Sequence, residues 1–278
     1  MISIIIPTLN EEKWLPLLLQ DIKKQTFKDH EVIVADADST DKTREIALSC
    51  GCKVIDGGLP AKGRNEGAKV AKGDIFVFMD ADIRVKKDFL EKAYEEFQKR
   101  YIEIATCDYI PDTNEKDIKF LYNLYNEYTR TMQYFIPYSM GMFIIMTKRL
   151  FFRLNGFNES IKFGEDWDIA NRAGKISKFR MLNSVHIVFS TRRIQKEGKF
   201  NYVAKTIKSN LYQLFVGNIN KEGIVRYEFG HYGNGLDYKN KKKDINKRLR
   251  KLRKDLVIFK RKLDFNGERL SKKTKRRF

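Results

Sequence analysis

Short apolar runs alternate with amphipathic stretches through the first hundred residues. Runs without charges are typical of strands buried on both faces, and an apolar residue every three or four positions is typical of a helix. The predicted strands are residues 2–6, 31–35, 53–55, 75–79 and 102–107, and the predicted helices are residues 11–22, 41–50, 64–71 and 86–100. Asn10 is placed to cap the first helix, and Pro7 to end the first strand. This alternation predicts an α/β fold with a Rossmann-like, mostly parallel sheet flanked by helices.

The longest apolar stretch, residues 134–152, contains Ser139, Thr147, Lys148 and Arg149. A membrane-spanning helix needs about 18 or more apolar residues in a row, so we interpret this stretch as a buried strand followed by a helix. The N-terminus lacks the features of a signal peptide, and three cysteines are too few for a disulfide framework. We therefore expect a cytoplasmic protein with reduced thiols.

Paired aspartates follow two predicted strands: Asp36 and Asp38 after the second, Asp80 and Asp82 after the fourth. In parallel sheets, ligands bind beyond the carboxyl ends of the strands. Carboxylate oxygens at this spacing suit Mg²⁺ or Mn²⁺, which could carry the phosphates of a substrate. The alternative is that they cap the following helices or lie in water, and we expect Asp41 to have a structural role of that kind.

These motifs occur in a recognisable order. They are residues 4–11, 34–43, 61–67 with 71–74, 78–82, 141–143 with 154–159, and 164–168. The series resembles the signature of family 2 glycosyltransferases of the GT-A fold, over roughly residues 1–215. The resemblance implies an inverting transfer of a sugar from a nucleotide-diphosphate-sugar donor to a saccharide or lipid-linked acceptor, at a hydroxyl or a lipid phosphate.

The resemblance also implies roles for individual residues on the donor side. The residues expected around the nucleoside are Thr8, Glu11, Asp36 and Asp38. Arg64 and Asn65 are expected near the donor, and Asp80 and Asp82 near the metal, with Asp82 as the direct ligand. Ala37 departs from the Asp or Gly common there. Lys62 and Arg64 are placed to face phosphate, or alternatively are exposed charges at a helix start.

On the acceptor side, the resemblance implies that Asp166 is the general base and Glu165 its neighbour. Both would also suit the positive end of a helix, and a lipid-phosphate acceptor would need only positioning. Arg192 and Arg193 resemble the segment that closes over the diphosphate, or alternatively are surface arginines that open a loop. The aromatic residues Tyr122, Tyr125, Tyr128, Tyr134 and Phe135 are partly at helical spacing, which favours a core, though they could line an acceptor groove.

Basic residues are concentrated at the C-terminus. The chain carries 55 Lys+Arg and 36 Asp+Glu, a formal net charge of +19, and residues 239–278 alone contribute +15. We predict a catalytic domain over residues 1–235 and a basic helical extension over 236–278, whose residues 271–278 are disordered. Its apolar positions repeat at spacings of four and three: Ile245, Leu249, Leu252, Leu256, Phe259 and Leu263.

The basic extension has several possible partners. We favour an anionic membrane surface, which would make the protein peripheral to the membrane, over packing on the body, pairing with another helix, or nucleic acid. Two other function classes stay open. A nucleotidyltransferase would need a Gly-rich loop with an arginine after the first strand, where this chain has residues 7–11, PTLNE. A non-catalytic protein could use the extension to bind nucleic acid.

Overall fold

The computed structural model describes residues 1–135, 137, 139–161, 164–198 and 201. The strands are β1 Ile2–Thr8, β2 His30–Asp36, β3 Lys53–Asp56, β4 Ile75–Met79, β5 Ile83–Arg84, β6 Ile104–Asp112, β7 Phe143–Thr147 and β8 Phe179–Ser190. The helices are α1 Leu15–Lys23, α2 Thr43–Ser49, α3 Pro60–Val70, α4 Phe89–Lys99, α5 Lys116–Met132, α6 Lys148–Arg153, α7 Glu165–Gly174 and α8 Arg192–Glu197. None of the helices described is both long enough and apolar enough to cross a membrane.

The strands form one sheet in the order β3-β2-β1-β4-β7-β6-β8-β5. The strands β3, β2, β1 and β4 are parallel, as the sequence predicts. β7 then runs antiparallel between β4 and β6, β6 is parallel to β8, and β5 is antiparallel to β8. The second half of the sheet is therefore mixed, and the loops after β4 meet the loop that precedes β7.

The central strands are apolar throughout because both of their faces are covered. On β1, Ile4 and Ile6 face one buried cluster while Ile5 faces the other, and on β4 Val77 and Phe78 divide in the same way. Each face of the sheet therefore packs against its own layer of helices, which explains why the runs show no alternation.

Several predicted boundaries were wrong. β1 continues through Pro7 to Thr8, and α1 begins at Leu15 instead of residue 11. Asn10 does not cap α1: its φ is +56°, and its Oδ1 accepts a hydrogen bond from the Thr40 backbone N–H at 2.9 Å. It thereby ties the loop after β1 to the loop after β2.

Other helices and strands also differ from the predicted bounds. α3 begins at Pro60, four residues early, because proline suits the first helical turn. α4 begins at Phe89, and β6 runs from Ile104 to Asp112. Strand β7 followed by α6 confirms the interpretation of the 134–152 stretch. The predicted basic extension, its boundary near 235 and its apolar repeat lie outside the described residues.

A Gly67→Ala substitution tests how closely α3 packs on β1. A Cβ at position 67 would lie 2.4 Å from Ile5 Cγ2, which is on a buried, β-branched side chain that has little freedom to move. Alanine raises helix propensity by up to about 1 kcal/mol, but overpacking costs about 1–3 kcal/mol. We expect a net loss in the free energy of unfolding, measured by denaturant titration. Lys69→Ala, at an exposed site on α3, is the control and should change it little; a Gly67→Ala protein as stable as wild type would contradict the packing.

Candidate active site

Five carboxylates and two arginines come together at the carboxyl edge of the parallel strands. Glu11 follows β1, Asp80 and Asp82 follow β4, and Glu165 and Asp166 begin α7. We call these five residues the acidic cluster. Arg64 of α3 and Arg192 of α8 each pair with two of these carboxylates. The fold therefore brings together residues that are far apart in sequence.

Arg64 bridges the two halves of the acidic cluster. Its Nη2 donates to Asp80 Oδ1 at 2.9 Å and its Nη1 donates to Glu165 Oε1 at 2.7 Å. The guanidinium also lies over the Phe157 ring, 5.3 Å from the centroid, and only 3% of the side chain is exposed. Its buried Nε has no hydrogen-bond partner among the described residues. From the sequence, Arg64 was expected to face phosphate or to be an exposed charge. In the structure it is buried and joins Asp80 to Glu165.

Arg192 makes the second bridge. It forms a two-pronged pair with Glu11, at 2.8 and 2.5 Å, and its Nε lies 3.0 Å from Asp82 Oδ2. The Ser190 N–H donates to the Asp82 carbonyl at 3.1 Å, so β8 ends beside Asp82 and delivers α8 to the cluster. The guanidinium also lies over the Trp14 ring, 5.4 Å from its centroid. Bidentate charge-assisted bonds of this kind are strong.

The two arginines do not balance five carboxylates. Burial raises the pKa of Glu11 to about 7, against the opposing effect of Arg192. Burial raises the pKa of Asp80 to about 6, with Arg64 opposing and Asp82 adding like-charge repulsion. Asp80 still keeps 35% of its side chain exposed, so water screens part of this effect. Raised pKa values of neighbouring buried carboxyl groups indicate that their negative charge is not fully compensated, so a cation bound among them would be stabilised.

Asp80 and Asp82 fit a cation that arrives with a substrate. Among the described residues, no three Asp, Glu, His or Cys side chains converge closely enough to hold a metal ion alone. Mg²⁺ is commonly bound by one or two carboxylates together with substrate phosphates and water. Asp80 and Asp82, which follow β4, would supply the two carboxylates of such a site.

Asp166 is held against a glycine. Its Oδ1 accepts from the Trp167 N–H at 2.8 Å, and a Cβ at Gly141 would lie 2.7 Å from its Oδ2. Gly141 has a φ of +76°, which also favours glycine. Burial, together with repulsion from Glu165, raises the pKa of Asp166 to about 8, although Arg64 opposes this shift.

A chain of buried hydroxyl side chains beside the Gly141 loop was not predicted from the sequence. The Ser139 Oγ lies 3.3 Å from the Tyr109 hydroxyl and accepts from the Gly141 N–H at 3.3 Å. The Tyr109 hydroxyl in turn lies 2.6 Å from Thr106 Oγ1, and all three hydroxyl side chains are buried. An isolated Ser or Thr carries no pattern signal, because the pairing depends on which strands become neighbours.

The predicted nucleoside residues lie at the ends of β1 and β2. Thr8 donates to Asp36 Oδ2 at 2.9 Å, and the Ser39 N–H donates to Asp36 Oδ1 at 3.0 Å, so the buried Asp36 carboxylate anchors its own loop. Asp38 is exposed, with a φ of +58°. Asp41 accepts from the Thr43 N–H at 2.9 Å, which agrees with the expected structural role.

Of three further predicted site residues, Asn65 and Arg193 make contacts with other protein groups and Lys62 is exposed. Asn65 uses its whole amide on the loop after α6: it donates to the Phe157 carbonyl at 2.9 Å and to Glu159 at 2.8 Å, and it accepts from the Phe157 N–H at 2.9 Å. Lys62 is exposed on α3. The Nε of Arg193 lies 3.8 Å from Glu197 Oε1 on its own helix.

A parallel half of the sheet, a mixed second half and an acidic cluster where they meet are the features of the GT-A fold class. Residues 3–154, more than half of the chain, match the sequence profile described as Glycosyl transferase family 2. The chain therefore belongs to this family. Membership agrees with the resemblance in the motifs and favours the glycosyltransferase interpretation over the nucleotidyltransferase and binding-protein alternatives.

Solved structures confirm the fold. Residues 1–349 of S. aureus TarS in complex with UDP-GlcNAc superpose with a TM-score of 0.57 at 22% identity, over 68% of this chain and 58% of that one. The Pyrobaculum calidifontis mannosyltransferase PcManGT, in complex with GDP-Man and Mn²⁺, superposes with a TM-score of 0.56 at 20% identity, over 74% of this chain and 64% of that one.

Similar sequences cover only parts of longer proteins. The 4,4'-diaponeurosporenoate glycosyltransferase of Staphylococcus haemolyticus is 40% identical over 96 residues, 31% of this chain and 25% of the relative. Streptococcus pneumoniae GlyG is 29% identical over 133 residues, 44% of this chain and 43% of the relative. The matched region thus spans from a quarter to less than half of the length of these relatives.

An Asp166→Asn substitution tests the burial of this carboxylate. Because the folded-state pKa is raised, the folded protein keeps a proton that the unfolded chain releases, so the free energy of unfolding falls as pH rises towards 8. We expect Asp166→Asn to be more stable than wild type at pH 8, by an amount that grows between pH 5 and 8 to on the order of 4 kcal/mol.

The measurement is denaturant unfolding across that pH range without divalent cations. The matched control is Asp88→Asn, since the bond from Lys92 holds the pKa of Asp88 below its usual range and it stays ionised throughout. A stability difference for Asp166→Asn that does not change with pH would show that this carboxylate is ionised in the folded protein at every pH tested.

Proposed function

We propose that this protein is an inverting glycosyltransferase that uses a nucleotide-diphosphate-sugar and a divalent cation, Mg²⁺ or Mn²⁺. The observation that carries the proposal is the acidic cluster with its two arginine bridges, at the edge of the sheet where substrates of this fold class bind. The acceptor is a saccharide or lipid-linked group that presents a hydroxyl or a phosphate.

On the donor side, Asp80 and Asp82 are the proposed cation ligands. A bound divalent cation would stabilise the charge that develops on the diphosphate leaving group. Arg192 lies beside Asp82 at 3.0 Å, so its guanidinium is in place to bind diphosphate oxygens once the carboxylates turn to the cation. The ligands UDP-GlcNAc in the TarS structure and GDP-Man with Mn²⁺ in the PcManGT structure support a donor of this kind.

On the acceptor side, Asp166 is the proposed general base. A base works best with a pKa near the operating pH, and the raised pKa of Asp166, about 8, is close to it. The acceptor hydroxyl would give its proton to Asp166 while its oxygen bonds to the anomeric carbon, and the bond from that carbon to the diphosphate breaks on the opposite face. This single displacement inverts the configuration. If the acceptor is a lipid phosphate, it is already an anion and Asp166 only positions it.

Binding of UDP, GDP and dTDP, each with and without Mn²⁺, tests the donor site. We expect one nucleotide to raise the thermal midpoint by several degrees only when Mn²⁺ is present, because a ligand at a hundred times its dissociation constant adds about 2.7 kcal/mol. Asp82→Asn should abolish this shift, while Asp88→Asn, at the aspartate directly before α4, should keep it. A shift that survives in Asp82→Asn would contradict the assignment of the metal ligand.

Arg192 competes with a cation for Asp82 and Glu11. Replacing it by glutamine removes a positive charge from both carboxylates, so we expect Arg192→Gln to bind Mn²⁺ alone several-fold more tightly, yet to bind the Mn²⁺-nucleotide more weakly. Trp14 lies against the guanidinium and its fluorescence should report binding, in a Trp167→Phe background that leaves it as the single tryptophan.

The neighbouring Arg193→Gln is the matched control, since the Arg193 Nε lies 3.8 Å from Glu197 Oε1 on its own helix. It removes the same charge and should leave Mn²⁺ affinity unchanged within about twofold. Equal effects of both variants would mean that Arg192 acts only through the overall charge of the protein.

A further inference from the structure

Helix α5 presents a row of large apolar side chains to solvent. Its inner face, with Ile118, Tyr122 and Thr129, is buried against the sheet. On the outer face we define the exposed stripe by five residues with these exposed fractions: Phe120 64%, Leu121 36%, Leu124 53%, Tyr128 50% and Phe135 76%.

The exposed stripe is continuous. Phe120, Leu124 and Tyr128 are spaced four residues apart, so they lie one above the other. Helical hydrogen bonding continues past α5, since the Gln133 N–H donates to the Thr129 carbonyl at 2.9 Å and the Phe135 N–H to the Met132 carbonyl at 2.9 Å. Phe120 to Tyr128 form a row about 12 Å long at 1.5 Å per residue, and the exposed Phe135 follows three residues beyond the end of α5.

Such clustering is unusual on a protein surface. Thirteen large hydrophobic residues are exposed in the described part of the chain, and five of them belong to this one stripe. Scattered exposed apolar residues are normal, whereas a contiguous row marks an interaction surface. From their spacing in the sequence, the aromatic residues of α5 and the following turn were predicted to lie in the core. Tyr122 confirms that, but Tyr128 and Phe135 point outwards.

The borders of the stripe carry charges of both signs. Lys116, Asp117, Lys119 and Glu127 are also exposed on α5, and Asp117, four residues before Leu121, lies on the side of the stripe. At the end of the helix the Arg180 guanidinium lies 4.8 Å from the centroid of the Tyr134 ring. The local surface is therefore apolar with charges of both signs, and in the sequence the excess of positive charge belongs to residues 239–278.

We propose that the exposed stripe docks on an anionic lipid surface. Phe and Leu side chains offer no hydrogen bonds to sugar hydroxyls, but they insert readily among acyl chains and lipid headgroups. Anionic lipid also complements the net charge of +19, whereas a second copy of this chain would bring like charge. Stable attachment to a membrane surface needs two signals, and here the apolar stripe and the basic sequence supply them. This binding does not depend on the proposed transfer reaction.

Vesicle binding by the full chain tests the proposal. The probes are vesicles of phosphatidylcholine alone and of phosphatidylcholine with about one third phosphatidylglycerol, read by co-sedimentation. We expect binding to the anionic vesicles, and a loss of about tenfold or more in affinity for the double variant Phe120→Gln and Leu124→Gln.

The matched control is the double variant Leu48→Gln and Tyr101→Gln, which alters two exposed apolar residues outside the stripe without changing charge. It should bind as wild type does, and both variants should keep the wild-type thermal midpoint. The proposal is overturned if the stripe variant binds as tightly as wild type, if no vesicle is bound, or if the stripe variant loses only a concentration-dependent self-association, which would assign the stripe to a second copy.

Discussion

The buried guanidinium of Arg64 holds the candidate site together. It joins Asp80, at the end of the parallel strands, to Glu165, at the start of α7, with bonds of 2.9 and 2.7 Å. Removing one partner of a buried ion pair leaves an uncompensated charge, so α3, β4 and α7 are bound to one another electrostatically. Because Asp166 follows Glu165 directly, the same contact fixes where the proposed base stands relative to the proposed cation ligands.

Arg64 also makes the two sides of the site electrically dependent. A cation at Asp80 would compete with Arg64 for that carboxylate and leave more of the guanidinium's field to Glu165 and Asp166. The donor side would then influence how readily the acceptor side holds a proton, with no movement of the backbone. Arg192 makes a similar arrangement between Glu11 and Asp82, so each carboxylate of the proposed metal pair has its own arginine competitor.

The features that could be predicted are those set by residues close together in the sequence. The uncharged runs of β1 and β4 identified buried parallel strands, and the motif order named Glu11, Asp80, Asp82, Glu165 and Asp166 as candidate site residues without showing that they meet. It did not show that Arg64 would pair with carboxylates, because that depends on α3 packing against β1 through Gly67. Nor did it find the Tyr109 and Ser139 hydroxyls or the antiparallel β7, since these follow from which strands become neighbours. Asn10 was wrongly predicted to cap α1 for a related reason, since its side chain bonds to a loop distant in sequence. The bonds of Asn65 to the loop after α6 could not be predicted for the same reason.

The pair between Glu11 and Arg192 spans 181 positions of the chain. During synthesis, Glu11 and Asp82 emerge from the ribosome long before the arginine that neutralises them, and contacts of such long range form late because loop closure is costly. A nascent chain that ends before α8 holds these carboxylates without that partner. The order of translation therefore delays this ion pair until nearly two hundred residues have been made.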